Sequence, residues 1–139
     1  MKKYSVLFFA SLFSFLILPF AQANAAVPLS DLHADIMGGW KLDTINDGDP
    51  VGEPTLEIEL DRISGYTGCN TVFGNLLVLS ENNLQINQLA STRMMCHGER
   101  RDQEEIVIEV FTHTSILNFD SSTGELTIGS DNNTLTFTK

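Results

Sequence analysis

The chain has 139 residues, and its 8 lysines and arginines face 18 aspartates and glutamates, which gives a formal net charge of −10. This acidity excludes a general surface for nucleic acid or anionic membranes, because both are polyanions and no basic patch offsets the repulsion. The acidic residues are scattered along the sequence, which is typical of a solvated surface.

The N-terminus has the layout of a cleaved secretory signal peptide. Lys2 and Lys3 precede an apolar run over residues 6–20, and the small residues Ala23 and Ala25 follow it. The run is shorter than the roughly 20 residues that a membrane-spanning helix needs. We therefore expect cleavage after Ala25, a periplasmic or secreted bacterial protein, and no membrane span after signal removal. Cleavage after Ala23 and an uncleaved anchor are the competing interpretations.

Removal of the signal peptide, residues 1–25, leaves a chain long enough for one small domain. Two lysines leave with the signal, so the acidic excess of the mature protein is larger still. We divide the mature chain into a lead-in segment, residues 26–37, and a folded domain, residues 38–139.

Short strands separated by turns are predicted along most of the domain. The first is predicted at residues 38–42, where Trp40 and Leu42 have the two-residue period of a strand, and residues 43–54 are rich in turn formers. Residues 55–60 alternate polar and apolar, which predicts a half-buried strand. Its inward side chains are Leu56, Ile58 and Leu60. Further strands are predicted at residues 63–67, 76–79, 84–89, 125–128 and 134–137, the last two joined by a turn at residues 130–133.

Residues 99–117 are the one helix candidate. An apolar stripe at three- and four-residue spacing comprises Val107, Val110, Phe111, Thr114 and Leu117. Asp102, Glu104 and Glu105 lie in the early turns, where a helix N-terminus favours negative charge. The many β-branched residues between 106 and 114 favour a strand instead. We expect an α+β fold that is mostly β, with a small curved antiparallel sheet packed against one helix.

No catalytic constellation is recognisable. A thiol nucleophile needs a base, but His97 directly follows Cys96, and adjacent residues on a strand face opposite ways. His33 lies in the lead-in segment and His113 on the helix candidate, so the sequence demonstrates no cysteine–histidine arrangement, and no G-x-S-x-G motif occurs. We predict that the protein is not an enzyme and has no cofactor, although the many carboxylates leave a hydrolytic pair open.

Metal sites are also unsupported by the spacing of residues. Cys69 and Cys96 lie far apart, and neither begins a C-x-x-C motif. Residues 43–54 fail as a calcium loop, because its third and twelfth positions would be Ile45 and Pro54. We therefore predict no metal site.

The two cysteines, Cys69 and Cys96, allow only one pairing. Export would place them in an oxidising compartment, where an even cysteine count indicates a disulfide. In a chain-entropy treatment, closing this loop stabilises the fold by about 3.5 kcal/mol. Two separate thiols and a metal or redox role remain alternatives.

A set of short motifs gives the chain a family resemblance. The set comprises Gly68-Cys69-Asn70, Gly74, Thr92-x-Met94-x-Cys96 and Glu104. In this order and spacing the chain resembles the META domain of HslJ-type heat-shock proteins, from Gly39-Trp40 to Phe137. One departure is Leu76, where the family usually has an aromatic residue.

The resemblance implies a curved antiparallel sheet with one helix in a bacterial envelope protein, and it brings no enzymatic activity. Family members are associated with heat induction and novobiocin resistance, and in parasites with virulence and secretion. The motif residues other than the cysteines then form a structural signature: Gly68, Asn70, Gly74, Thr92 and Met94. Asn70 suits a turn or left-handed position, Met94 suits the core, and Thr92 suits a hydrogen bond to a neighbouring strand.

Two functions follow as hypotheses. The first is a non-enzymatic, exported envelope protein that supports stress tolerance by binding a partner, which the sequence does not identify. The alternative is a small-ligand carrier or inhibitor module that uses the concave face of the sheet.

Overall fold

The computed structural model describes residues 31–139 apart from residue 81. The predicted signal peptide and the first part of the lead-in segment lie outside the described residues. Among the residues that are described, no helix has both the length and the apolar character needed to cross a membrane.

Two helices and eight strands follow one another along the chain. They are α1 (Asp31–Ile36), β1 (Gly38–Ile45), β2 (Thr55–Ile58), β3 (Arg62–Tyr66), β4 (Thr71–Ser80), β5 (Asn83–Ser91), α2 (Glu99–Thr112), β6 (Ser115–Asp120), β7 (Glu125–Gly129) and β8 (Thr134–Thr138).

The strands form a closed antiparallel barrel. Each strand pairs with the next in sequence, and β8 pairs back with β1, with Lys41 opposite Thr138 and Leu42 opposite Phe137. The predicted mostly-β fold with one main helix is confirmed. The small curved sheet is corrected to an eight-stranded barrel, because pairing between the two ends of the domain removes both free edges.

Alternation of side chains fills the barrel. Leu56 and Ile58 on β2 point inward, as do the buried apolar residues of the other strands. Helix α1, within the segment expected to be a lead-in, contributes the fully buried Ile36. The indole Nε1 of Trp40 donates a hydrogen bond of 2.8 Å to the Ile36 carbonyl oxygen. Helix α1 is therefore packed into the hydrophobic core.

The shortest strand pairing in the barrel is between β5 and β6. These strands share only two register pairs, Asn83 with Ile116 and Leu84 with Ser115. Helix α2 lies between β5 and β6 in the sequence and packs against β5. It buries Val107, Val110 and Phe111 in the common core. The helix thus supplies core contacts beside the shortest strand pairing.

The end of the helix differs from the sequence prediction. Helix α2 ends at Thr112, and the Ser115 hydroxyl donates a hydrogen bond to the Val110 carbonyl oxygen just beyond that end. Leu117, predicted on the helical stripe, is instead a fully buried residue of β6. The β-branched residues between 106 and 114 did not mark this strand, because all but Thr114 lie in α2 and β6 begins only at Ser115.

Leu60 was predicted to face inward, and this was wrong. Strand β2 ends at Ile58, so the alternation stops before Leu60, which lies in the turn to β3 with 61% of its surface exposed.

Candidate functional site

The family motifs converge on one disulfide. Cys69 lies in the bend between β3 and β4, and Cys96 lies in the segment between β5 and α2. The structure joins them in a disulfide, with their Cα atoms 6.0 Å apart. The described residues contain no free cysteine. The bond therefore ties the segment of residues 92–98 to the end of the barrel.

Asn70, next to Cys69, is the centre of a buried hydrogen-bond network. Its Oδ1 accepts hydrogen bonds from the Met94 backbone N at 2.7 Å and from the Thr92 hydroxyl at 2.8 Å. Its Nδ2 donates to the Met94 carbonyl oxygen at 3.1 Å and to the Glu104 carboxylate at 3.0 Å. One amide thus links three chain segments. The same hydrogen bonds satisfy the Oδ1 and Nδ2 atoms of Asn70, which would otherwise be buried without partners.

Glu104 brings helix α2 into the same network. Its Oε2 accepts hydrogen bonds from the Thr67 hydroxyl at 3.1 Å and from the Asn70 backbone N at 3.2 Å. The same oxygen lies 3.4 Å from the Cys96 Sγ, which carries no proton because it is bonded to Cys69. These donors offset the cost of placing a carboxylate in a half-buried position.

Gln103 is a part of the site that sequence reasoning missed. Its Oε1 accepts a hydrogen bond from the Val51 backbone N at 2.6 Å, and its Nε2 donates to the carbonyl oxygens of Val51 and Thr67. Gly68 lies against this amide with a φ of +99°, and a Cβ there would come within 2.7 Å of the Val51 carbonyl oxygen. Gly68 is therefore required both by conformation and by space.

Thr92, Gly74 and Asn70, three other predicted signature residues, each have a different environment in the structure. Thr92 bonds the neighbouring strand as predicted, since its hydroxyl accepts from the Thr71 backbone N at 3.0 Å. Gly74 is buried on β4, where a Cβ would lie 2.5 Å from Ile86 Cγ2. Asn70 occupies the bend, but the positive φ belongs to Gly68 and not to Asn70.

Met94 was predicted in the core, and this was wrong. Its backbone N and O bond Asn70, while 66% of its surface is exposed. Its neighbour Met95 is 84% exposed. We call these two residues the methionine tip. The backbone of the tip is held by Asn70 on one side and by the disulfide at Cys96 on the other.

The chemistry available at this site is limited. The ligand atoms of Cys69, Cys96 and Glu104 lie within 4.8 Å of one another, which is close enough for a metal. However, both sulfurs are bonded to each other, so they offer no thiolate for a metal or a nucleophilic attack. The arrangement in this form holds three segments together.

The concave face of the sheet is the inside of the barrel. Its fully buried residues include Leu117, Leu126, Ile128 and Leu135. Within the described residues, the strands' own side chains therefore occupy the face that the ligand-carrier hypothesis would use.

Comparison with known proteins agrees with this architecture. A solved NMR structure is 24% identical, with a TM-score of 0.63 over 73% of this chain and 87% of the other. An NMR structure of a protein from Burkholderia xenovorans is also 24% identical, with a TM-score of 0.58 over 87% of this chain and 95% of the other. These similarities support the fold alone. Among curated proteins, none matches the chain significantly.

The family assignment comes from the sequence as a whole. The model of the META domain matches residues 32–139, which include both cysteines, Asn70, Glu104 and all eight strands. Several of the motif residues behind the resemblance, namely Cys69, Asn70, Thr92, Met94, Cys96 and Glu104, also build the network around the disulfide. This chain belongs to the META domain family.

Proposed function

We propose that this protein acts without catalysis in envelope stress tolerance, and that it does so by binding a protein partner through the methionine tip. The observation that carries the proposal is the contrast within residues 94–96. The Met94 and Met95 side chains are exposed, while the backbone beside them is fixed by Asn70 and by the disulfide.

A fixed apolar tip is well suited to binding. Exposed methionine side chains are flexible and polarizable, so they adapt to an apolar pocket on another protein. Because the backbone is already held, little further ordering of the main chain is needed when a partner binds. The resemblance to stress-associated META proteins and the predicted signal peptide support an envelope role. The disulfide fits an oxidising compartment outside the cytoplasm.

The test is complementation of a deletion strain under heat, novobiocin and detergent. The tip variant is Met94→Glu with Met95→Glu, which places charge where the partner's apolar surface would lie. The matched control is Leu60→Glu, because Leu60 is similarly exposed but lies in the turn between β2 and β3. We expect the control to restore survival and the tip variant to fail, with both proteins unfolding at wild-type temperature.

Two outcomes would count against the proposal. Full rescue by the tip variant would exclude partner binding through Met94 and Met95. A deletion strain that survives all three stresses as well as its parent would contradict the stress role itself.

A further inference from the structure

A second candidate site lies on the outside of the barrel, away from the core. A groove of about 550 Å³ runs across the outer faces of β1, β2 and β3. Its volume is in the range of about 300–1,000 Å³ that is usual for small-molecule sites. The opening exists partly because Gly39 has no side chain beside Glu57 and Ser64, its neighbours across β2 and β3. We call this feature the outer groove.

Both lysines of the described chain line the outer groove. They are Lys41 on β1 and Lys139 at the C-terminus. Within the described residues the Lys41 ammonium group has neither a hydrogen-bond nor an ion-pair partner. The Lys139 Nζ donates to the Asp35 carbonyl oxygen at 3.1 Å and lies 4.8 Å from the centre of the Trp40 ring. These two lysines share the groove with one carboxylate, that of Glu57, so the lining side chains carry a net positive charge in a chain with 18 acidic residues.

The remaining groove side chains suit a hydroxyl-rich ligand. Thr55, Ser64 and Tyr66 present hydroxyl groups, none of which bonds another described residue. Each can both donate and accept a hydrogen bond, and the Glu57 carboxylate can accept further bonds from ligand hydroxyls. The Tyr66 ring is 36% exposed and offers a flat apolar face.

We propose that the outer groove binds an acidic saccharide, a hydroxyl-rich ligand that carries a carboxylate or a phosphate. The lysines bind the anionic group, while the hydroxyls and Glu57 bind the sugar hydroxyls. The net charge of the protein repels anions at long range, but this repulsion is screened over about 8 Å at physiological salt. Recognition therefore depends on direct contact with Lys41 and Lys139. The site is independent of the methionine tip.

The experiment is an NMR titration of the isotope-labelled mature protein with three probes at millimolar concentration. Trigalacturonic acid carries carboxylates, glucose 1-phosphate carries a phosphate, and maltotriose is a neutral saccharide. We expect the amide signals of Gly39, Glu57 and Ser64 to shift with at least one anionic probe and to stay unchanged with maltotriose. The two anionic probes then identify which acidic group the groove prefers.

Variants assign the binding to the groove. Lys41→Gln should weaken binding about tenfold, which corresponds to the loss of one charge-assisted contact. Gly39→Val should abolish binding by filling the groove, and the fold should tolerate it because the nearest atom to the new Cβ is the flexible Glu57 Oε2. Arg93→Gln, which removes an exposed cation outside the groove, is the control and should bind like the wild type.

The proposal is overturned if neither anionic probe shifts the groove signals, or if maltotriose binds as tightly as they do. It is also overturned if Gly39→Val, with a native spectrum, retains wild-type affinity.

Discussion

The network around Asn70 and the outer groove are both polar, but they differ in where their bonding capacity is used. Asn70 and Glu104 bond the backbone and side chains of three segments inside the protein. The side chains of Lys41 and Tyr66, in contrast, make no hydrogen bond to another described residue. Polar groups that are satisfied internally hold a fold in place, whereas those left open face water and can exchange it for a ligand. Three predictions test whether this difference is real, and a fourth concerns Glu109 on α2, which lies outside both regions.

Loss of the disulfide should have the largest effect. In the double variant Cys69→Ala with Cys96→Ala, the unfolded chain gains the freedom of the open loop, which lowers the free energy of unfolding by about 3.5 kcal/mol. Chemical denaturation of the mature protein measures this change. The control is Thr55→Ala with Ser64→Ala in the outer groove, which should change stability by no more than about 0.5 kcal/mol. An equal loss in both variants would remove the distinction between the two regions.

The second largest loss of stability is expected for Asn70→Ala. Removal of this side chain leaves the buried or half-buried hydrogen-bonding groups of Met94 and Glu104 without partners. The free energy of unfolding should therefore fall by about 3 kcal/mol. The comparison is Asn75→Ala, because Asn75 makes an exposed hydrogen bond to Gln88. That variant should lie within about 0.5 kcal/mol of the wild type. If the two asparagines proved equivalent in thermal or chemical unfolding, the network would not be a stabilising element.

Two glycines of the outer groove, Gly65 and Gly39, should differ in how well they tolerate a side chain. A Cβ at Gly65 would lie 2.5 Å from the Thr55 carbonyl oxygen, so Gly65→Ala must displace a backbone atom. We expect a loss of about 2 kcal/mol from this overpacking. Gly39→Ala should cost less than about 0.5 kcal/mol, because only the flexible Glu57 side chain is close. Equal melting temperatures for the two variants would contradict this assignment.

The smallest effect concerns Glu109 on α2. Hydrogen bonds from the side chains of Asn133 and Ser130, at 3.0 and 2.9 Å, hold the pKa of Glu109 below its ordinary value of 4.5. Because the folded pKa is the lower one, the stabilisation is fully present above about pH 4.5 and is lost as the pH falls through the folded value. Glu109→Gln should therefore be less stable than the wild type at neutral pH, and this difference should shrink as the pH falls through the folded pKa. A difference between the two proteins that does not change with pH would exclude the charge of Glu109 as its cause.

Most strands could be predicted from the sequence, because alternation over Leu56 and Ile58 reports directly which face is buried. Closure of the barrel could not, since pairing of β1 with β8 joins distant residues and leaves no local pattern. The end of α2 was misplaced because Leu117 has the same spacing whether it continues a helical stripe or begins a buried strand face. Such local ambiguity is resolved only by tertiary packing.

The candidate site was partly visible in the sequence. Cys69 and Cys96 could be paired because there are only two cysteines. Met94 was misplaced because the network uses its backbone N and O, which any residue could supply, and leaves its side chain outside. Gln103 could have been found, since it stands four residues before Val107 on the apolar stripe of α2. A polar residue at such a position predicts a buried hydrogen bond.

The pairing of β1 with β8 also determines when the barrel can close during folding. A chain that is delivered from its N-terminus leaves one edge of β1 open until Thr138 arrives, whereas the loop between Cys69 and Cys96 is complete well before that point. An open strand edge can pair with a second copy of the chain. Strand β8 therefore covers the open edge of β1, and a chain truncated before β8 would leave that edge available for aggregation.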